Sequence, residues 1–179
     1  MMLFQNPIVW LKRVRHRKGY GVHSPFAFDF ITNVIYNNER YYAYNYLDSK
    51  LRWWQYGREK SMVHLAFRLS NYRCPRTLYC NGLPSILMEA CCKGSRSVNI
   101  VGDVSSGPAD MVFVGCSDDA ALGHIGEGTM VVLWSLRENA KFWQRIKDDE
   151  RVTVTFDLYD VGIAFARADL NRQHYINNW

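Results

Sequence analysis

The amino-acid sequence predicts an α/β fold in which a mostly parallel sheet ends in an antiparallel hairpin. Short apolar segments alternate with helical patterns in the second half of the chain, as is typical of strands that are buried on both faces of a parallel sheet. The predicted parallel strands are Thr77–Cys80, Val98–Val101, Met111–Val114 and Met130–Leu133. Two further apolar runs, Val152–Phe156 and Val161–Phe165, are joined by a short turn, which predicts the hairpin.

The length and composition predict one compact body. A chain of 179 residues that is 48% hydrophobic is long enough to bury a substantial core. Within it we expect a helical N-terminal extension, residues 1–57, packed on an α/β domain, residues 58–179.

Helix signals dominate the N-terminal extension. Asn6-Pro7 and Ser24-Pro25 each place a capping residue before a proline at the first helical position. Apolar periodicity predicts further helices along the chain. The expected helices span residues 7–17, 25–36, 47–55, 58–72 and 137–148. His64 is expected on the exposed face of its helix.

The cysteine pattern predicts a reducing compartment. The chain has five cysteines, an odd number, with no CxxC pair that would suggest a zinc ribbon. Its first residues carry their charge after the apolar part, the reverse of a secretory signal. No apolar run reaches the roughly 18–20 residues of a membrane span. The expected location is the cytoplasm.

The net charge of +5 arises from the N-terminal arm, because the basic and acidic residues of the rest of the chain balance. The basic residues of the arm are Lys12, Arg13, Arg15, Arg17 and Lys18. This arm is either a solvated helix face or a binding element for nucleic acid or lipid headgroups. The aromatic segment 41–54 either stacks on nucleic acid or, as we prefer, covers the core or a dimer surface.

The segment 76–90 predicts a strand, a tight turn and a helix, the arrangement at which nucleotide-type cofactors bind in α/β folds. The turn is Asn81-Gly82-Leu83-Pro84-Ser85. Sites of this kind carry a carboxylate at the strand end and a second glycine in the turn. Here Cys80 and Ile86 occupy those positions, so the contacts to a cofactor are expected to be lost.

The motif Gly21-Val22-His23-Ser24-Pro25-Phe26, together with the hairpin outline, resembles a bacterial subgroup of the class I S-adenosylmethionine-dependent methyltransferases. The resemblance covers nearly the whole chain, and the stretch Arg151–Phe165 is also similar to that subgroup. It implies a Rossmann-like fold and S-adenosylmethionine as the ancestral cofactor. Within the motif, His23 is expected to orient the N-terminal helix.

The resemblance also implies where the cofactor contacts would fall. The family pattern Glu-x-Gly-x-x-x-Gly corresponds here to Cys80, Gly82 and Ile86. The acid that holds the ribose in the family falls at Gly102 or Asp103, and Asp103 is the one position that keeps the chemistry. The aspartate near the methyl-transfer centre corresponds to Gly115.

Two further departures concern the walls of the site. The metal-using relatives carry an Asp-Asp pair where this chain has Trp134-Ser135. Only residues 104–109 separate Asp103 from the strand that follows, whereas a parallel crossover needs about 10–12 residues. The third strand of the family and its adjoining helix are therefore expected to be missing, and residues 98–114 form either an extended crossover or a hairpin.

Several smaller features have ordinary structural interpretations. Asp118-Asp119 is expected to cap a helix rather than bind metal, and His124 is expected in a loop. Cys91-Cys92 is expected on the core side of its helix. Cys80 and Cys116 are expected near the same sheet edge, where a thiol function is conceivable, although small buried thiols are commoner.

The function expected from the sequence is that of a methyltransferase-like protein with a degenerate cofactor site and no catalysis, a pseudoenzyme that binds a protein partner or forms a homodimer. No catalytic or metal-binding residue is predicted. The vestigial cofactor positions are Cys80, Asn81, Gly82, Asp103 and Gly115. One alternative is an active methyltransferase in which Asn81, Gly82 and Asp103 hold S-adenosylmethionine, and another is an anionic-surface module that uses the basic arm.

Overall fold

A computed structural model describes residues 21–52, 55, 57–102 and 107–179. The predicted helix at residues 7–17 and the basic arm lie outside these residues. At the centre of the fold is a seven-stranded sheet. Its strands are β1 (Thr77–Asn81), β2 (Asn99–Val101), β3 (Met111–Val114), β4 (Met130–Trp134), β5 (Val154–Asp157), β6 (Val161–Phe165) and β7 (Gln173–Ile176).

The sheet has the strand order β2-β1-β3-β4-β6-β5-β7. The first four strands of that order are parallel, and β6 runs antiparallel to both β4 and β5. β7 pairs in parallel with β5. This is a Rossmann-like α/β fold with a C-terminal antiparallel hairpin, which confirms the predicted fold class.

The short connection between β2 and β3 is a crossover from one side of β1 to the other. Both strands pair in parallel with β1, on its opposite sides, so the hairpin alternative for residues 98–114 is wrong. No strand occurs between Val101 and Met111 in the part of this segment that the structure describes. β2 therefore forms one edge of the sheet, where the family would continue with its third strand.

The helices are α1 (Pro25–Phe30), which continues into a π-helical turn (Ile31–Ile35), α2 (Tyr44–Lys50), α3 (Arg58–Arg73), α4 (Ser85–Gly94), α5 (Asp119–Gly123) and α6 (Ala140–Asp148). Ser24 caps α1 by accepting a hydrogen bond from the Ala27 N–H at 3.3 Å, as the Ser-Pro signal predicts. The Tyr36 N–H closes the π turn on the Ile31 carbonyl at 2.9 Å.

Two predicted helices have wrong bounds. The helix predicted over 47–55 is α2, which begins earlier because the Tyr44 ring packs against Phe67, and which ends before Leu51, where the backbone is extended. The helix predicted from Arg137 begins at Ala140. The residues before it form a turn that starts at Ser135, whose φ of 58° is left-handed.

The core lies on both faces of the sheet. α1, α3 and α4 cover one face, where Phe30, Phe67 and Phe113 are fully buried. α5 and α6 cover the other face, with Phe142 and Trp143 packed on it. The alternation of side chains along each strand supplies both layers, because Phe113 points to one face and its neighbours point to the other.

The last described segment ties the N-terminal helices to the sheet. β7 was not predicted from the sequence. Beyond it, the Trp179 indole N–H donates to the Ile35 carbonyl at 2.9 Å, and the Tyr36 hydroxyl donates to the Asn178 carbonyl. None of the described helices is long and apolar enough to span a bilayer.

Candidate functional site

The carboxyl edge of the sheet brings together four of the five predicted cofactor positions. In the parallel register, Cys80 lies opposite Phe113 and Asn81 lies opposite Val114. The Gly115 N–H then donates to the Asn81 carbonyl at 2.8 Å, which extends the pairing by one residue. Gly82 follows directly, whereas Asp103 lies outside the described residues.

The turn after β1 lies directly against the loop after β3. A Cβ atom built on Gly115 would stand 1.9 Å from the carbonyl oxygen of Gly82, and one built on Gly82 would stand 2.7 Å from the Cys116 sulfur. Gly82 has a φ of +67°, which favours glycine. Both glycines are thus needed for contact between two segments of the protein itself.

Asp118 fastens the same edge. Its carboxylate accepts hydrogen bonds from the Tyr79 hydroxyl at 2.6 Å, from the Asn81 amide at 3.0 Å and from the Ala120 N–H at 3.0 Å. The last of these is the predicted helix cap, which the structure confirms. The bonds from Tyr79 and Asn81 could not be predicted, because they depend on how the loop after β3 folds over β1.

These bonds set the protonation of both partners. Burial acts to raise the pKa of Asp118, but the hydrogen bonds from Tyr79, Asn81 and the backbone outweigh it and hold the pKa below its ordinary value. Burial, together with hydrogen bonding to the Asp118 carboxylate, raises the pKa of Tyr79 to about 12. The pair is therefore a phenol and a carboxylate at neutral pH. His124 is in a turn, as predicted, and its fully buried ring stacks on Tyr79.

Of the two cysteines at this edge, Cys80 is not activated as a nucleophile. Cys80 is half-buried, and burial raises its pKa, which disfavours the thiolate that nucleophilic chemistry needs. Cys116 is exposed. Farther away, Cys91 is buried but Cys92 is exposed, so the prediction that both face the core was wrong for Cys92. Consecutive residues of a helix project about 100° apart, because 3.6 residues complete a turn.

A large cavity opens beside the sheet edge, between the N-terminal helices and the end of β4. It has a volume of about 1190 Å³. Trp134 and Ser135, at the position of the family's Asp-Asp pair, form part of its wall, as do Pro84 and Ile86 from the turn after β1. Within the described residues, no group of three or more His, Cys, Asp or Glu side chains could hold a metal ion.

One end of the cavity carries an ion-pair cluster. Asp160, in the hairpin turn, pairs with Arg58 and with the Arg137 Nε at 2.9 Å. Arg137 also lies over the Tyr159 ring, 4.4 Å from its centroid. Desolvation, followed by the like charge of Arg137, lowers the pKa of Arg58. Two guanidinium groups therefore share one carboxylate here.

The other end is lined by a network that joins α2 to α3. The His64 ring stacks on Tyr44 with 3.6 Å between centroids, and His64 shares a 2.8 Å hydrogen bond with Asp48. Lys60 pairs with the same carboxylate at 2.7 Å. His64 is therefore largely buried, and the prediction that it is exposed was wrong. Desolvation lowers its pKa, although Asp48 acts in the opposite direction.

Arg68 is the buried cation of this network, with 7% of the residue exposed. Its Nε donates to the Val34 carbonyl at 2.7 Å and its Nη2 donates to the Ile35 carbonyl at 3.1 Å. Its Nη1 donates to the Tyr44 hydroxyl oxygen at 3.1 Å. Neither Arg68 nor the network around it was singled out from the sequence, since its members come from three separate segments.

No protein-family model matches this chain, and no curated protein matches it. Among solved structures, the chain is similar to the SAH-bound methyltransferase PaMTH1 of Podospora anserina. The two chains are 10% identical, the similarity covers 82% of this chain and 97% of that one, and the TM-score is 0.48. Function is therefore argued from the site alone.

Proposed function

We propose that this protein is a methyltransferase-like pseudoenzyme whose strand-end cofactor site is closed by its own backbone. The observation that carries the proposal is the contact between Gly82 and Gly115. In dinucleotide- and nucleotide-binding turns, glycines let the backbone approach a ligand. Here the same freedom brings the turn after β1 onto the loop after β3, where a ligand would otherwise lie.

The chemistry of the edge supports this proposal. Among the described residues of this edge, the Asp118 carboxylate is held by donors from Tyr79, Asn81 and Ala120 and is not available to ribose hydroxyls. Pro84 removes one backbone donor from the turn. Cys80, in the place of the family's acid, is a neutral thiol with a raised pKa. The fold would then serve a binding role, with a protein partner or a second copy of the chain as candidates.

Calorimetric titration with S-adenosylmethionine and S-adenosylhomocysteine tests the proposal. We expect no binding heat up to millimolar ligand. Micromolar binding of either ligand would overturn the proposal and favour the active enzyme with an atypical site. In that case Asp103→Ala should abolish the affinity, because Asp103 would be the acid that holds the ribose.

A further inference from the structure

Arg68 is a buried positive charge that has no negative partner among the described residues. Among the described residues, no carboxylate lies within 4.0 Å of its guanidinium. Asp48, which belongs to the same network, is already paired with His64 and Lys60. Lys and Arg are rarely buried to this degree unless they are paired, because taking a charge out of water is costly.

The hydrogen bonds of Arg68 to the described residues use only three of its N–H groups. Nε and Nη2 lie on one edge and reach the two carbonyls at the end of the π turn, those of Val34 and Ile35. Of the five N–H groups that an arginine carries, one on Nη1 and one on Nη2 remain. These two N–H groups make no hydrogen bond to the described residues, and a guanidinium is a strong donor to carboxylates.

The Tyr44 hydroxyl supplies a further donor at the same place. Its oxygen accepts from Arg68, while its own hydrogen has no acceptor among the described residues. Burial raises the pKa of Tyr44, so the hydroxyl stays protonated. Tyr44, Arg68 and Ile35 all line the cavity. Arg68, with two remaining N–H groups, and Tyr44, with its phenolic O–H, therefore lie side by side in the cavity wall.

Beside the ion-pair cluster of Arg58, Arg137 and Asp160, the cavity also has apolar walls. Its lining includes Leu51, Met62, Ile86, Leu87 and Trp134. Ligand sites commonly combine such apolar walls with a few convergent polar groups, and this volume would hold a drug-sized molecule. We propose that the cavity binds a small organic carboxylate with an aromatic or aliphatic body, whose carboxylate lies against Arg68 and Tyr44.

A purely structural role for Arg68 is the competing explanation. A cation at the end of a helical segment satisfies orphan carbonyls and interacts favourably with the helix dipole. That role accounts for the bonds to Val34 and Ile35. It does not account for the two remaining N–H groups, the Tyr44 hydroxyl hydrogen or the cavity that both residues line. A test must therefore measure how binding depends on the charge of the ligand, and not only the stability of the fold.

Two fluorescent probes separate the explanations. The anion 8-anilinonaphthalene-1-sulfonate carries a charged head on an aromatic body, and N-phenyl-1-naphthylamine has the same rings without the charge. We expect the anion to bind at one site, at least tenfold more tightly than the neutral probe, and to be displaced by octanoate but not by 1-octanol. Binding should persist in 0.5 M NaCl, since a buried pair is screened little. Equal affinity for both probes, no binding of the anion, or loss of binding in salt would overturn the proposal.

Variants locate the site. Arg68→Met should weaken binding of the anionic probe by at least tenfold and leave the neutral probe unchanged. Tyr44→Phe, which removes only a hydroxyl, should weaken binding of the anionic probe by about tenfold, the value of one charge-assisted hydrogen bond. Arg145→Met is the matched control, because Arg145 is exposed on α6 and pairs with Asp119. If Arg68→Met fails to fold, the test rests on Tyr44→Phe. An affinity of Tyr44→Phe for the anionic probe equal to that of Arg145→Met would refute the site.

The carboxylate proposal does not rest on the loss of the cofactor. The end of the cavity that carries Arg68 and Tyr44 is built by α2, α3 and the π turn, not by the turns at the ends of β1 and β3. Binding of S-adenosylhomocysteine without any effect on the anionic probe would therefore refute only the closed cofactor site. Failure of the probe to bind would refute only the carboxylate site.

Discussion

At the scale of single residues, Gly115 shows how closely the loop after β3 approaches the turn after β1. The family has an aspartate at the corresponding position, according to the resemblance. Any side chain on Gly115 would meet the carbonyl of Gly82 at 1.9 Å, so the present contact requires glycine. Cys80 and Gly115 are both departures from the family pattern that the resemblance implies. They affect the same place, because they belong to the neighbouring strands β1 and β3.

Gly115→Ala should destabilise the fold by about 1–3 kcal/mol, the usual cost of overpacking, because the turn after β1 must move away. Gly102→Ala is the matched control, since no atom of the described residues lies within 4 Å of a Cβ built there. Its effect should stay within about 0.5 kcal/mol. Denaturant unfolding of both variants measures the difference. Equal stabilities would show that the two segments do not touch in solution.

Tyr79→Phe should lower the free energy of unfolding by about 1.5–3 kcal/mol at pH 7, because Asp118 loses a charge-assisted hydrogen bond. The folded-state pKa of Asp118 lies below the ordinary value of 3.8. The contribution is therefore fully present above that value and is lost as the pH falls through the folded-state pKa. Urea unfolding at pH 7 and in acid measures this effect. The difference in the free energy of unfolding between wild type and Tyr79→Phe should be smaller in acid than at pH 7.

In alkali, the contribution of the Tyr79–Asp118 hydrogen bond to stability changes with pH in the opposite direction. The Tyr79 pKa of about 12 exceeds its ordinary value of 10.0, so wild type should lose this contribution as the pH rises from 10 through 12, whereas Tyr79→Phe should not. Tyr72→Phe is the control at pH 7 and in acid, since the Tyr72 hydroxyl makes no hydrogen bond to the described residues and 39% of the residue is exposed. A Tyr79→Phe cost that is the same at every pH would contradict the assignment.

At the scale of elements, the sequence predicted the strands whose bounds are set by the local pattern of residues. β3 and β6 have the predicted bounds, because continuous apolar runs bounded by turn residues are unambiguous. β7 was missed because Gln173–Ile176 is a mostly exposed edge strand without alternating burial. The π turn at Ile31–Ile35 and the early start of α2 depend on packing against α3, which no local pattern encodes. The cavity network was missed for the same reason.

The crossing of α3 and α4 depends on another glycine. A Cβ on Gly94 would lie 2.6 Å from the Phe67 carbonyl and 2.8 Å from the Ser70 Cβ. Gly94→Ala should therefore cost about 1–2 kcal/mol, although alanine is the better helix former. Cys92→Ala, on the exposed face of the same helix, should change the stability by less than about 0.5 kcal/mol. Thermal unfolding compares the two variants, and a stabilised Gly94→Ala would show that the helices can separate without cost.

At the scale of the whole molecule, the N-terminal helices, the sheet and the last residues depend on one another. α1 and α3 cover one face of the sheet, and the segment after β7 returns to the end of the π turn. This closure also forms one wall of the cavity, where Trp179 and Ile35 lie together. We therefore expect residues 21–179 to unfold as one cooperative unit, with the helical extension and the α/β domain losing structure together.

Removal of residues 177–179 tests this dependence. The deletion takes away the bonds from Trp179 to Ile35 and from Tyr36 to Asn178, as well as the 2.8 Å bond from the Asn177 N–H to the Asp157 carbonyl. We expect a loss of about 2–3 kcal/mol, or roughly 4–12 °C in the midpoint of thermal unfolding for a chain of this size. Circular dichroism and tryptophan fluorescence should keep a common midpoint, because the helices and the sheet unfold together. Ile176→Thr, at an exposed position of β7, should leave the midpoint nearly unchanged. Two separated transitions in the shortened chain would show instead that the N-terminal helices form an independent unit.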